Sequence, residues 1–449
     1  MVRQVRNRSA GMTLVEIMIT LLISSIIAAS TFMFFAGQQR IYETQTKLLN
    51  IQQNLWAAME VVARYTRASG SGMFGCVMPA SYYNATLNNG SRVISPSPSP
   101  GPLAASLADV DRPNTGIRAY NATTASMQRI PPLWIVNNSS NDAADGVVPG
   151  TDVLTVAFGN RTSGTDTDAP LAQDFNATSD SNPIQLSVAN AGNMFRQWEF
   201  VLLLNPDWGY GNPPSYDRGC TMFQVTTADP NNSTVLGHAA IARTPGDIVW
   251  NPSGDVAGMH PSGNIASTYN PNSGNVAPGV RNFGQLTWVS FFVQTGANGI
   301  PNLMMQQRHL GDAASRTAQI LAEGIEDFQV SFACDTGGIA NVNLMQLNGI
   351  LDEGWNNAAK QNDEWWNNVP NDNLPPINTQ GYCNLPTAVR LTLVVRSLAP
   401  DDLIDPAVTA NGPMDVEDHC YASDSSRPRD RFRRRVLSTT VYPRNNKPL

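Results

Sequence analysis

The chain has 449 residues, only 14% of them charged, with 34 glycines, 31 prolines and a net charge of −7. That acidic balance disfavours a broad basic nucleic-acid face. The low charge and the Gly-, Pro- and Asn-rich stretches such as NPNSGNVAPG and WWNNVPNDN point to a loop-rich extracytoplasmic β domain, not a cytosolic enzyme.

The first element is an apolar helix. Met12 to Gly37 carries no charge except Glu16, and Ile17 to Phe35 is almost unbroken in hydrophobicity. Roughly 20 such residues cross a hydrocarbon core. A secretory signal has its small-residue cleavage junction after the apolar run, but here Ala10-Gly11 precedes it, so cleavage would leave the helix attached. Arg3, Arg6 and Arg8 put the N-terminus on the cytoplasmic side and the rest of the chain outside. An ionisable group at membrane depth costs about 2.5–3.5 kcal/mol on insertion scales and is by default functional. The plainer reading places Glu16 at the interface, solvated.

A short basic leader, then Gly11, then Met12-Thr13-Leu14-Val15-Glu16 and an apolar span resembles the prepilin-type cleavage and methylation motif of type IV pilins and their relatives. The resemblance implies that a prepilin peptidase cuts after Gly11, that Met12 becomes the N-methylated first residue, and that Glu16 becomes the fifth. Phenylalanine is the usual first residue of that family, so Met12 departs from it. Loss of the leader's three arginines would take the net charge from −7 to −10. Cleavage creates an α-ammonium at Met12, and pairing it with Glu16 of a neighbouring subunit would neutralise both groups during assembly. Removing one partner of such a buried pair costs about 3–5 kcal/mol.

The helix is expected to continue. Ile41, Leu48, Leu55 and Val62 recur every seven residues, with Ile51, Ala58 and Met59 on the same face. No proline interrupts Met12 to Gly70, and Gly70-Ser71-Gly72 supplies a stop. The organisation that follows is a cytoplasmic leader (1–11), a transmembrane or filament-core helix (12–37), its amphipathic continuation (38–70), and a β-rich domain (71–449). The fold class is α+β: a long N-terminal helix packed on an enlarged antiparallel pilin-like sheet with long loops, as one domain or as two subdomains sharing a sheet edge.

Beyond the helix, the expected strands are Val153–Phe158, Trp198–Leu204, Thr221–Thr227, Leu286–Thr295, Gly324–Cys334, Ala388–Ser397 and Arg433–Tyr442, several of them with period-2 alternation. SPSPSPGP (Ser95–Pro102) reads as a surface loop, and Asn251–Gly279 as an insertion between strands.

Gly75-Cys76, GCTMFQVTT from Gly219, ILAEGIEDFQVSFACDT from Ile320, VRLTLVVRS from Val389 and RRRVLSTTVYPRN from Arg433 together resemble the PilW-type minor pilins. The resemblance covers both ends and scattered strands. It leaves 88–147 and 229–279 unmatched. It implies an inner-membrane, single-pass subunit with a periplasmic domain, later extracellular in the pilus. Its partners would be the peptidase, other minor pilins, the major pilin and a tip adhesin, with roles in priming assembly at or near the tip and in adhesion or twitching motility. Two other readings stand beside it: a J-type pseudopilin of type II secretion, and a membrane-anchored adhesin with Trp365-Trp366 as a contact.

Cys76, Cys220, Cys334, Cys383 and Cys420 lie in a region expected outside the cytoplasm, where disulfides persist. None forms a CxxC. Two bridges and one odd thiol are expected, with Cys76–Cys220 favoured by family-matched segments and a second bridge among Cys334, Cys383 and Cys420. No catalytic constellation, metal site or cofactor is expected. His238, His260, His309 and His419 are scattered, and neither HExxH nor Gly-x-Ser-x-Gly occurs. The acidic loops Asn141–Gly146 and Gly164–Pro170 lack EF-hand spacing for Ca²⁺. The one basic run, Arg427–Arg435, reads as a solvated strand flank or a local anion contact.

Overall fold

The fold comes from a computed structural model. It describes residues 13–72, 80–83, 120–122, 125–129, 133–136, 147–160, 169–173, 175, 182–188, 194–204, 220–228, 234–241, 243, 251, 279–309, 318–333, 365–366, 388–398, 400, 416–417 and 430–443. The expected disulfide residues Cys76, Cys334, Cys383 and Cys420 and both acidic loops up to 168 lie outside these, as do Gly11 and Met12.

Helix α1 runs without a break from Leu14 to Ala68, within two residues of the expected limits. It ends where Gly70 (φ 69°) and Gly72 (φ 82°) adopt left-handed backbone, which costs glycine nothing. The chain divides into two compact units, 1–53 and 54–449. In the first, Ile41 is exposed and Leu48, expected in the packed part of the stripe, is only partly buried.

In the second unit, Leu55, Ala58, Met59, Val62 and Ala63 are buried. The Tyr65 ring lies 6.0 Å from Phe158 and 5.8 Å from Phe291. The chain leaving the helix then hydrogen-bonds like a strand, with Gly70 N–H donating to Ala157 O and Gly159 N–H donating to Ser71 O.

The strands are, in order, β1 (Ala80–Tyr83), β2 (Tyr120–Ala122), β3 (Ala125–Arg129), β4 (Leu133–Val136), β5 (Val153–Asn160) and β6 (Ala169–Pro170). They continue with β7 (Ile184–Gln185), β8 (Phe200–Leu204), β9 (Cys220–Gln224), β10 (Thr227–Ala228), β11 (Val235–Gly237) and β12 (Gly279–Thr295). The last six are β13 (Pro301–His309), β14 (Gln319–Glu323), β15 (Ile325–Ala333), β16 (Trp365–Trp366), β17 (Ala388–Arg396) and β18 (Arg434–Val441).

Pairing is antiparallel apart from β1 with β9, where Ala80 lies opposite Thr221, one residue past Cys220. An 11-stranded sheet follows the path β14-β13-β12-β8-β9-β1-β3-β2, with β4, β5 and β6 attached to it. The joint is β12, whose first half pairs with β8 and whose second half pairs with β5 and β13. The changeover sits at a bulge between Asn282 and Gly284, where Gly284 (φ 76°) takes the turn that a side-chain-bearing residue resists.

Around β8, β9 and β11, Phe175, Phe195, Leu203, Phe223 and Leu236 form a core cluster. His238 packs into its aromatic part, its ring 5.6 Å from Phe175 and 5.1 Å from Phe223. The C-terminal sheet, in the order β16-β15-β17-β18, is tied to the large one through Asp152. Its backbone N–H donates to Phe328 O (2.9 Å), and its carboxylate accepts the Val330 N–H at 2.7 Å.

The seven expected strands are all present with shifted ends. Thr221–Thr227 splits into β9 and β10, and Leu286–Thr295 is the second half of the 17-residue β12. The stretches 88–147 and 229–279, which the resemblance leaves unmatched, contain strands: β2, β3 and β4 lie in the first and β11 in the second.

Candidate functional site

Glu16 sits in the first turn of α1, three residues after Thr13. The Thr13 N–H donates to Glu16 Oε2 at 2.9 Å, the Thr13 hydroxyl donates to the same oxygen at 3.1 Å, and the Glu16 N–H donates back to Thr13 Oγ1 at 3.3 Å. This reciprocal pair is a capping box, which satisfies amides that the first helical turn leaves without intrahelical partners. The carboxylate is therefore not bare within a single subunit. Its negative charge also lies at the positive end of the helix macrodipole. Thr13 is a site residue that the argument from charge alone overlooks, although Thr-x-x-Glu ahead of an apolar run is its sequence signature.

Downstream, Leu14–Glu43 is long and apolar enough to cross a membrane. Every hydroxyl between Leu14 and Gly37 folds back on the helix. Thr20 donates to Glu16 O and Ile17 O, Ser24 to Leu21 O, Ser25 to Leu22 O, Ser30 to Ile26 O and Thr31 to Ile27 O. In lipid such bonds remove the penalty of an unsatisfied polar group. The side chains around them, from Leu14 to Phe35, are exposed within the chain itself. They suit surroundings that other molecules provide.

The second polar constellation belongs to the C-terminal sheet. Arg434 is nearly buried and makes a bidentate pair with Asp430, while its Nε donates to Glu326 Oε1 at 2.7 Å. Burial by itself would raise the Asp430 carboxyl, but the Arg434 guanidinium and the Phe432 N–H hold it below the usual carboxylate range. The same burial would lower Arg434, and its two carboxylate partners raise it instead. The basic run is thus not uniformly a solvated flank: one arginine staples β18 to β15. Beside it, the Arg396 guanidinium stacks 4.5 Å over Phe432.

On the polar face of this sheet Glu417 (φ 50°) accepts from Ser331 Oγ at 3.1 Å, Arg390 Nη2 at 3.1 Å and Thr392 Oγ1 at 2.9 Å. Arg390 lies 4.4 Å over Trp365, which is buried. Trp365 is therefore a packing residue, as tryptophan pairs in strands usually are, and not the exposed contact that the adhesin alternative would use. Among the described residues no group of three or more His, Cys, Asp or Glu side chains could hold a metal ion.

Comparison with known families matches the two ends of the chain. The prokaryotic N-terminal methylation motif matches residues 6–32. Type IV Pilus-assembly protein W, PilW, matches residues 290–445, from the second half of β12 through β18. Neither covers 33–289. No curated protein and no solved structure matches the chain. An N-terminal methylation motif on a capped apolar helix and a C-terminal segment similar to the pilus-assembly family thus stand in one chain, whose two ends are similar to those of a PilW-type pilin with a prepilin motif.

Proposed function

We propose that this type IV pilus-associated minor pilin primes filament assembly at or near the tip and has a structural role without catalysis. The observation that supports this reading most is the N-terminal arrangement. Glu16, capped by Thr13, opens a helix whose apolar side chains find no cover within their own chain. Such a segment is suited to a membrane first and to the helices of neighbouring pilins afterwards. The domain would stand in the periplasm before assembly and on the cell surface after it. The PilW match favours the pilus over the type II secretion reading. A role in adhesion or twitching motility belongs with the tip position. The strands between 80 and 280, which have their own core and lie outside both family matches, are where a binding specialisation would reside.

On this reading the Glu16 carboxylate exchanges part of its Thr13 contacts for the α-ammonium of an adjacent subunit. Glu16→Ala should still insert and fold, with cleavage after Gly11 largely retained, while its amount in sheared pili falls at least tenfold. Glu16→Gln keeps the hydrogen bonds but not the charge, and should fall with it. Wild-type incorporation of both variants at normal protein levels would show that Glu16 is only an interfacial residue.

A further inference from the structure

We infer that β18 is an open docking edge that accepts, as an added antiparallel strand, an extended segment of another protein with acidic residues at the end that meets Arg435. Among the described residues β18 pairs only with β17, over eight consecutive positions without a register shift. The Ser397 N–H donates to Arg433 O in that register, so odd-numbered residues of β18 bond inward. By the alternation of an antiparallel ladder, the N–H and C=O groups of Val436, Ser438 and Thr440 point away from the sheet. All three residues are exposed.

Natural sheets protect such edges with charge, proline, bulges or brevity. The other sheet ends here use those devices. At one end of the large sheet β14 carries a register shift against β13 and ends at Glu323, and at the other β2 is three residues long. The opposite edge of the C-terminal sheet, β16, is two residues long. From Val436 to Tyr442 the β18 edge has no charge, no proline and no bulge, and it presents Val436 and Tyr442 to solvent. The strand is also held firmly at its start by Arg434 with Asp430 and Glu326, so its edge is a fixed template and not a frayed end.

Charge selects the occupant. Asp430 and Glu326 are engaged by Arg434, while Arg435 is exposed on the edge strand of a chain that is otherwise acidic. A second copy would bring the same arginine and offer it no acid along its own β18. A strand with acids at the matching end provides both the ladder bonds and the counter-charge. The inference concerns the strand itself and holds wherever in the pilus the subunit sits.

The test uses the full-length protein in detergent micelles and a synthetic nine-residue peptide of alternating valine and threonine ending in two glutamates. Antiparallel pairing brings those glutamates onto Arg435. Binding should slow amide exchange at Val436, Ser438 and Thr440 and weaken at high salt. Thr440→Pro removes only an outward N–H, a substitution that edge strands tolerate, and should lower peptide affinity at least tenfold, while Thr440→Ala binds as wild type. Val436→Glu, an exposed change that leaves the ladder intact, should lose affinity through repulsion and serves as the second variant if the proline disturbs folding. No protection of the three amides, or equal binding by Thr440→Pro and Val436→Glu, overturns the inference. Self-association of the wild type that Thr440→Pro abolishes overturns it as well, by assigning the edge to a second copy.

Discussion

Leu21, Leu22 and Ile23 of α1 are 64%, 63% and 50% exposed, whereas Val201, Leu202 and Leu203 of β8 are completely buried. The residue types are nearly the same, and the difference is in what completes them. The β8 side chains meet partners from their own chain, which gives each about 1.5–3 kcal/mol relative to exposure. Those of the helix gain nothing until lipid or another subunit covers them, so their burial free energy is reserved for association. Polar groups divide in the same way. The helix hydroxyls satisfy themselves within four residues, while Asp152 reaches 178 residues along the chain to Val330.

This contrast is easiest to break in the domain. Phe223, buried against Phe175 and His238, should cost about 3–5 kcal/mol of domain stability as Phe223→Ala. Ile23→Ala on the helix should leave the thermal unfolding of the domain within about 0.5 kcal/mol of wild type and instead reduce incorporation into pili. Comparable losses of domain stability from both would contradict the division.

A smaller effect is expected at the Arg434 cluster. Asp430 has its carboxyl lowered in the folded state, so its contribution is fully present above the ordinary carboxylate range, near pH 4, and is lost as pH falls through the lowered value. Acid titration of unfolding should therefore show a component that Asp430→Asn removes. An unchanged acid profile in that variant would mean the staple contributes nothing to holding β18.

Much of this architecture was legible in the sequence because local signals agreed with tertiary packing. The absence of proline from Met12 to Gly70 set the helix, and the glycines at 70 and 72 set its end. Alternation revealed β15 and β17. Periodicity marks a shared face but not where its burial begins, so it places the exposed Ile41 in line with the buried Leu55. β13 was not visible, since PNLMMQQRH begins with proline and carries no β-branched residue; its long pairing with β12 overrides that weak propensity. The first half of β12, GVRNFGQ, was hidden by its glycines and the bulge they permit. Glu417 and Asp152 left no local trace, because their partners are distant in sequence. At the N-terminus the signal is local: the resemblance to the prepilin motif rests on Gly11, Met12 and Glu16, and the Thr13 cap is readable from Thr-x-x-Glu in the same short stretch.

The central claim is that the N-terminus is a prepilin junction whose helix stays attached. Intact-mass measurement of the protein isolated from membranes tests it most directly. The account predicts a chain that begins at Met12, with one added methyl group and residues 12–449 retained. A mature N-terminus within or after Ser24–Ser30 would mean cleavage by an ordinary signal peptidase and would contradict the account.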